Sequence, residues 1–378
     1  MLAIQDYLAN ASAIKQDASF CSLDGKTRSL LQAAAAEILK RPDLLADLEQ
    51  IDHALEGDRL AWNAAPWRRF PTNDSTAGAF LLVFPILHHL APIRAFYAER
   101  KIPERYLQAL MSDLQRWIAT HRQRTMGRAG FREINWLREH VRAKIFEIGR
   151  LQFQPGKWSI PVVPLENMET GDRVLLAQSK NDSITMDGGY SSAVGANARN
   201  SVPLVYEESP NGFTGHRILE DGCVRRSPES FPASLWRRAV SVGAPIINIH
   251  IPCGAPLSPD ACRTSIEEAL EFFPTYFPDW PVAKAKAMVC QSWLLYPDFQ
   301  KLLATTSNIV GFQKLFHLFP IPETDDAQFF ERAFVPWGRK VSRDQLSTSL
   351  QFALFDHIQA GHTPLETGGI LFTDDFKN

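Results

Sequence analysis

The residue best placed for acid–base chemistry is His250, at the end of a short apolar run. The run is Pro245-Ile-Ile-Asn-Ile-His-Ile-Pro252, and its β-branched residues and bounding prolines indicate a buried strand. An unperturbed histidine has a pKa of about 6.5, which suits proton removal near neutral pH. Alternation puts His250 on the opposite face from Ile249 and Ile251. We therefore give two interpretations of His250 equal weight. It is a general base, or it is a buried histidine hydrogen-bonded to a backbone carbonyl.

A tight loop follows this strand and leads into a predicted helix. The loop is Cys253-Gly-Ala-Pro-Leu257. Ser258 is a candidate N-cap, and Pro259 takes the first helical position, where its missing N–H costs nothing. Backbone N–H groups at such a helix start favour anions. The alternative is a strand-to-helix turn without a ligand, and Pro256, which has no N–H to donate, favours it.

A second strand and helix follow in the same order. Residues 287–295 predict the strand, and residues 307–316 predict helical structure. This order places strand ends and helix starts at one edge, where open sheets bind ligands. Two cysteines, Cys253 and Cys290, are possible nucleophiles, but Cys290 lies inside an apolar strand, so an inert core residue is the better interpretation.

The remaining pattern divides the chain in two. Strong helix formers predict a helix over residues 30–40, and apolar residues at three- and four-residue steps predict helices over 103–122 and 130–149. After Gly149 the period changes, and Pro155-Gly156 predicts a hairpin turn. Further predictions are strands at 173–177, 202–206, 329–337 and 367–372, a second hairpin over 218–224 and a helix over 345–359. Residues 181–200 predict a polar loop or a strand pair of polar residues.

Bulk composition excludes several classes of protein. The 378 residues carry a net charge of −2, and no basic run indicates a nucleic-acid or membrane partner. No apolar run reaches the roughly 18 residues of a membrane span. The five cysteines are odd in number and lack C-x-x-C spacing, which favours free thiols and a cytoplasmic location. The start of the chain lacks the features of a secretory signal.

Other common site patterns are missing from the sequence. His88-His89 has no H-x-x-E-H-type spacing, so we expect no metal. The sequence contains neither a G-x-S-x-G elbow nor a Walker loop, which argues against hydrolase and nucleotide-phosphate chemistry. The pattern gives no indication of oligomeric state.

Four segments together resemble a known family. They are Gly149-Arg-Leu-Gln-Phe153, His250-Ile-Pro-Cys-Gly-Ala-Pro-Leu257, Cys290-Gln-Ser-Trp-Leu-Leu295 and Ser307-Asn-Ile-Val-Gly-Phe-Gln313. The chain resembles bacterial acyltransferase domain-containing proteins over roughly residues 130–340. The resemblance implies an α+β protein, with a helical domain over 1–148 and a GNAT-like α/β domain with a mixed, twisted sheet over 149–378.

The resemblance also implies a reaction and its site. An acyl-CoA such as acetyl-CoA would donate its acyl group to a small-molecule amine or hydroxyl by direct attack. The carrier would enter where two neighbouring strands diverge after residue 250. The residues implied in cofactor binding lie in the loop and at the later helix: Ile251, Cys253, Gly254, Ala255, Leu257 and Asn308. His250 would be the base, and Tyr296 would be the acid.

Two departures from the superfamily pattern keep an alternative open. The phosphate loop supplies only Gly254 and Ala255, and the register of the usual thiolate-protonating tyrosine falls on Leu315 or Phe316. Asn308 would then be a helix N-cap without a ligand. The alternative function is a non-catalytic ligand-binding or interaction module on the same scaffold.

Overall fold

A computed structural model describes residues 3–178, 182–185, 188–192, 201–321, 327–362, 364 and 366–376. The chain forms two compact units. The first comprises Met1–Ile148 and Ile251–Gly254, and the second comprises Gly149–His250 and Ala255–Asn378. The domain limits 1–148 and 149–378 stay a prediction from the sequence.

The first unit is built of helices around an apolar core. They are α1 (Ile4–Ala9), α2 (Ala11–Phe20), α3 (Gly25–Ile38), α4 (Pro42–Leu55), α5 (Arg59–Ala64), α6 (Thr76–Phe80), α7 (Val83–His88), α8 (Leu90–Glu99), α9 (Glu104–Met111), α10 (Asp113–Arg124) and α11 (Ile134–Val141), followed by strand β1 (Phe146–Ile148). Leu31, Leu48 and Leu107 are fully buried in the unit. The unit is mainly helical, as the periodicity predicted. The helix predicted over residues 130–149 is wrong at its end, because α11 stops at Val141 and residues 146–148 form β1.

One predicted helix of this unit is divided. The apolar stripe over residues 103–122 belongs to α9 and α10, with Ser112 between them. The Ser112 hydroxyl donates to the carbonyl of Ala109 at 2.6 Å. Such a bond competes with regular helix bonding, which explains a break that hydrophobic spacing alone does not reveal.

The second unit contains most of the strands. They are β2 (Leu151–Lys157), β3 (Val162–Asn167), β4 (Arg173–Ala177), β5 (Asp182–Ile184), β6 (Tyr190–Ser192), β7 (Val202–Pro203), β8 (Tyr206–Ser209), β9 (Gly212–Gly215), β10 (Arg217–Ile218), β11 (Glu229–Pro232), β12 (Trp236–Arg238), β13 (Pro245–His250), β14 (Ala287–Ser292), β15 (His317–Pro320) and β16 (Thr367–Phe372). Its helices are α12 (Pro259–Tyr276), α13 (Phe299–Leu302), α14 (Asn308–Gln313), α15 (Ala327–Ala333) and α16 (Ser349–Gln359).

The main sheet of this unit is mixed, with the order β2-β13-β14-β16-β15. Strands β13 and β14 are parallel, whereas β2, β16 and β15 pair antiparallel with their neighbours. Smaller sheets have the orders β10-β4-β3-β12, β11-β9-β8 and β6-β5-β7. The predicted α+β class with a mixed sheet is confirmed.

Close packing inside the main sheet depends on a glycine. Gly368 of β16 lies beside Phe319 of β15, and a Cβ at residue 368 would be only 2.1 Å from Phe319 Cε2. Phe319 is fully buried with Ile246, Val289 and Ile370. The aromatic ring therefore occupies the space that a side chain at residue 368 would need.

Two predictions for this unit are wrong. Pro155-Gly156 forms no hairpin turn, because β2 continues through it, with Pro155 opposite Ile247. Gly156 instead gives room to a neighbour, since a Cβ there would be 2.5 Å from Asn248 Nδ2. Residues 329–337 form no strand, because Phe329 and Ala333 lie on the buried side of α15 at helical spacing.

Other predictions agree with the structure. Strand β4, strand β16 and helix α16 lie where the pattern placed them, and Ile218 bridges Val224 in the predicted second hairpin. Much of the segment 181–200 lies outside the described residues. Within the described part of the chain, no helix is both long and apolar enough to cross a membrane.

Candidate functional site

The pairing between the parallel strands β13 and β14 ends before the strands do. Its last pair is Ile249 with Cys290. Beyond that pair, His250 continues to pair with β2, and Ser292 continues to pair with β16. Pro252 then follows on one side, and a 3-10 turn at Trp293–Leu295 follows on the other. The β13–β14 ladder therefore stops one residue before the end of β13 and two residues before the end of β14.

His250 belongs to a polar face at this end of the ladder. It lies opposite Gln152, and Asn248 lies opposite Gln154. Residues two apart on a strand share a face, so these four side chains lie on the same side of the sheet. His250 is half-buried, and its Nε2 is 3.1 Å from Gln154 Oε1. The partner is thus a side-chain amide, where the alternative from the sequence had placed a backbone carbonyl.

This contact assigns the tautomer of His250. An amide oxygen accepts hydrogen bonds, so Nε2 donates and carries the proton in the neutral ring. Nδ1 then holds the lone pair, which is the atom that takes up a proton. Gln152, Gln154 and Asn248 were not singled out from the sequence. The signal was there in the alternation of β2, where glutamines flank the buried Phe153.

The loop before α12 is fastened by Arg150. Its Nη2 donates to the Ala255 carbonyl at 2.8 Å, and its Nε donates to the Pro256 carbonyl at 3.0 Å. The backbone N–H of Arg150 donates to Ser265 Oγ of α12 at 2.6 Å. The start of β2, the end of the loop and the first half of α12 are therefore held as one assembly.

The expected cofactor-binding residues of the loop differ in exposure. Cys253, Gly254 and Ala255 are exposed, and Ile251 is half-buried. Leu257 is 8% exposed, so its side chain packs in the protein and its backbone is the part that can meet a ligand. Gly254 has a φ of +115°, a conformation that glycine adopts without strain.

The helix starts near this loop are capped differently than predicted. Ser258 makes no side-chain cap on α12, although Pro259 does occupy its first turn. Ser307 caps α14 by accepting from the Ile309 N–H at 3.3 Å, so the cap interpretation of Asn308 is wrong. Asn308 is the exposed first residue of α14. The physical reason is that the residue just outside the helix has the extended backbone that a cap requires.

The two helices meet near their starts. A Cβ at Gly311 of α14 would lie 2.3 Å from Pro259 Cγ of α12. Helices α12 and α14 are therefore in direct contact at this glycine.

Tyr296 belongs to a different polar cluster. Its hydroxyl donates to Asp298 Oδ2 at 3.0 Å and lies 2.9 Å from His357 Nε2. Burial, together with the charge of His362, lowers the pKa of His357. Although burial raises the pKa of Asp298, hydrogen bonds from Lys301 and Tyr296 lower it overall. The phenol therefore already has a carboxylate as its proton acceptor.

The cysteines differ sharply in their surroundings. Cys290 is buried, and burial raises the pKa of its thiol. Burial also raises the pKa of Cys262 to about 11. Cys253 is exposed, with Sγ 4.0 Å from Thr120 Oγ1 in the first unit. A thiol that stays protonated is a poor nucleophile, so Cys290 has the environment of an inert core residue.

The first unit holds a buried ion network that the sequence analysis did not identify. Asp113 accepts hydrogen bonds from Arg116 Nε at 2.7 Å, Trp136 Nε1 at 2.9 Å and Trp117 Nε1 at 3.2 Å, and it lies 3.0 Å from His140 Nε2. Although burial raises the pKa of Asp113, the hydrogen bond and charge of His140, with the charge of Arg116, lower it overall. The carboxylate is thus ionised inside the unit.

Family models match nearly the whole chain. Residues 145–371 match the GNAT-like C-terminal domain, and residues 19–143 match the N-acyltransferase N-terminal domain. Comparison with curated proteins gave no match.

Solved acyltransferase structures share the fold. A mutant with octanoyl-CoA has a TM-score of 0.62 at 20% identity, over 94% of this chain and 86% of that one. A complex with decanoyl-CoA and teicoplanin has a TM-score of 0.56 at 20% identity, over 95% of this chain and 99% of that one. A complex with CoA and 10C-teicoplanin has a TM-score of 0.55 at 19% identity, over 95% and 99%. The chain therefore belongs to the family of proteins with a GNAT-like C-terminal domain, preceded by an N-acyltransferase N-terminal domain, as its four motifs predicted.

Proposed function

We propose that this chain transfers an acyl group from acyl-CoA to a small-molecule amine or hydroxyl by direct attack. The observation that carries the proposal is the end of the β13–β14 pairing before the strands end, with His250 just beyond the last pair. The strand edges left unpaired there are the proposed contacts of an extended thioester arm. The similar acyltransferase structures are complexes with octanoyl-CoA and decanoyl-CoA, which supports medium-chain donors as the first to test.

His250 is the proposed general base. The acceptor nitrogen or oxygen attacks the thioester carbonyl carbon, so a new bond to carbon forms and the carbon–sulfur bond breaks. Nδ1 of His250 takes the proton that the acceptor loses, while Gln154 holds the ring through Nε2. The departing thiolate takes a proton from water or, as a further proposal, from Tyr296. A positioned base typically contributes 10²–10⁴-fold to the rate.

The loop and the two helix starts are the proposed cofactor contacts. Ile251, Cys253, Gly254, Ala255 and Leu257 precede α12, whose N-terminal dipole favours the pyrophosphate. Asn308, exposed at the start of α14, is the proposed side-chain contact.

A non-catalytic binding module is the second candidate. The register of the proton-donating tyrosine of superfamily enzymes falls on Leu315 or Phe316. Neither side chain has a proton to donate. Tyr296 has Asp298 and His357 as partners. These observations favour a non-catalytic ligand-binding or interaction module on the same scaffold.

Two measurements separate the candidates. The first is thermal stability with acetyl-, octanoyl-, decanoyl- and palmitoyl-CoA, since a ligand at 100 times its dissociation constant stabilises by about 2.7 kcal/mol. The second is product formation by mass spectrometry with a panel of amine and hydroxyl acceptors, including teicoplanin. Binding with product formation supports the transferase. Absence of stabilisation by every CoA ester rejects the transferase and supports the non-catalytic module.

The base assignment is tested with His250→Gln. We expect this variant to retain the thermal shift with acyl-CoA and to lose 10²–10⁴-fold in kcat. The matched control is His53→Gln, which changes an exposed histidine of the first unit and leaves both readouts unchanged. Unchanged turnover in His250→Gln would reject His250 as the base.

A further inference from the structure

Helices α4 and α7 bring three metal-ligating side chains together in the first unit. Asp52 lies on α4, His88 ends α7, and His89 follows it as the C-cap. Donor atoms of the three residues lie within 4.8 Å of one another, and all three residues are buried. Because His89 leaves helical geometry, the two neighbouring rings stand nearly perpendicular, at 89°.

The distances match the spacing of ligands around a small cation. His88 Nδ1 is 3.0 Å from both carboxylate oxygens of Asp52, and His89 Nε2 is 3.3 Å from Oδ1. Zinc binds nitrogen and oxygen ligands at about 2.0–2.2 Å in tetrahedral geometry, which separates neighbouring ligand atoms by about 3.3 Å. The distances from the Asp52 oxygens to the two histidine nitrogens lie within a few tenths of an ångström of that separation.

His89 gives an independent sign that a cation belongs here. Its Nδ1 lies 3.2 Å from Glu56 Oε1, which favours a proton on that nitrogen and leaves the lone pair on Nε2. The residue is 2% exposed, and among the described residues Nε2 has no hydrogen-bond partner. A lone pair that faces a carboxylate repels it unless a cation lies between them. In zinc sites, a histidine that binds the metal through one ring nitrogen usually donates its other ring N–H to a carboxylate.

The cluster has an access route. A pocket of about 300 Å³ is lined by Ala3, Ile4, Glu49, His53 and Glu56, together with Asp52 and His89. Its two glutamates attract cations.

We propose that Asp52, His88 and His89 bind one divalent transition-metal ion, and that Glu56 supports the site through His89. Two imidazoles and one carboxylate are a donor set suited to Zn²⁺. The fourth position faces the pocket and takes water. This site lies in the first unit and does not depend on the proposed transferase activity.

The experiment uses full-length protein prepared without a polyhistidine tag. After chelator treatment and dialysis, Zn²⁺ is titrated in competition with a chromogenic chelator. We expect one ion per chain, and at least a 100-fold loss of affinity in Asp52→Asn and His89→Gln. Glu56→Gln should lose 10–100-fold, as outer partners of zinc ligands do. His53→Gln, which alters an exposed histidine of the same pocket, should bind like the wild type.

Co²⁺ gives a readout on the unaltered protein. A tetrahedral site with two imidazoles produces visible absorption bands when Co²⁺ replaces Zn²⁺, and addition of Zn²⁺ removes them. Thermal stability should rise with Zn²⁺ in the wild type and in His53→Gln, but not in Asp52→Asn. Zero stoichiometry in the wild type, or equal affinity in the wild type and the ligand variants, would overturn the proposal in favour of a buried hydrogen-bond network.

Discussion

Asp113→Asn is the perturbation that tests the buried ion network of the first unit most directly. The substitution keeps the size of the side chain and removes its charge. It leaves His140, which is fully buried, and Arg116 without the carboxylate between them. Asparagine has a single accepting oxygen. Its NH₂ group, which donates, would therefore face groups that donate to Asp113 in the wild type.

The expected cost follows from the contacts. Breaking a buried ion pair by removing one partner destabilises by about 3–5 kcal/mol. Arg116 keeps Glu147 as a partner, 3.0 Å from Nη1, so we expect the lower end, about 3 kcal/mol. At roughly 2–4 °C per kcal/mol for a domain of this size, Tm falls by roughly 6–12 °C.

Urea unfolding followed by tryptophan fluorescence and near-ultraviolet circular dichroism measures this effect. Trp117 and Trp136 donate to Asp113, so their signals report on the network itself. Asp43→Asn is the control, because Asp43 pairs with Arg41 at the surface, where ion pairs contribute little. If Asp113→Asn lowers the unfolding free energy by less than about 1 kcal/mol, the buried network is not the stabilising feature described here.

The pH dependence of the same pair of proteins gives a second check. The pKa of Asp113 is lowered in the folded state, so its contribution is fully present above the unfolded pKa of about 3.9. That contribution is lost as pH falls toward the lower folded value, because the unfolded chain binds the proton first. The difference in stability between the wild type and Asp113→Asn should therefore shrink below about pH 4. A difference that stays constant down to pH 3 would contradict this account.

Two further predictions concern packing and thiol reactivity. Gly368→Ala should destabilise the second unit by about 1–3 kcal/mol in urea unfolding, because its Cβ would collide with Phe319. Gly25→Ala is the control, because a Cβ there meets its nearest atom at 3.9 Å. Equal stability of the two variants would contradict the packing argument. Cys253 should react with a maleimide in the native state well before Cys290, since the first is exposed and the second buried. Mass mapping of labelled peptides checks this order, and early labelling of Cys290 would refute it.

Strands and helices whose boundaries are marked by proline could be predicted from the sequence. Prolines bound the apolar residues of β13, and Pro259 marks the start of α12. Local signals failed where partners decide the structure. Pro155-Gly156 has the composition of a turn, but its pairing with β13 keeps it in a strand. The choice between Ser307 and Asn308 as cap depends on backbone angles that composition does not specify.

The sites were harder to predict than the elements, because their parts are distant in sequence. Gln154 reaches His250 from 96 residues away, and Asp52 reaches His88 from 36 residues away. Spacing patterns detect ligands on one turn or one loop. They do not detect pairs that only the packing of α4 on α7, or of β2 on β13, brings together.

The hold of Arg150 on the Ala255 and Pro256 carbonyls has a consequence for affinity. A loop that must become ordered around a ligand loses conformational entropy at that moment, and the loss weakens binding. Here a planar guanidinium orders the second half of the loop during folding. If the loop binds the proposed pyrophosphate, its affinity therefore depends partly on a side chain directed at the protein's own backbone. A lysine, with a single point of charge, would not reproduce this effect.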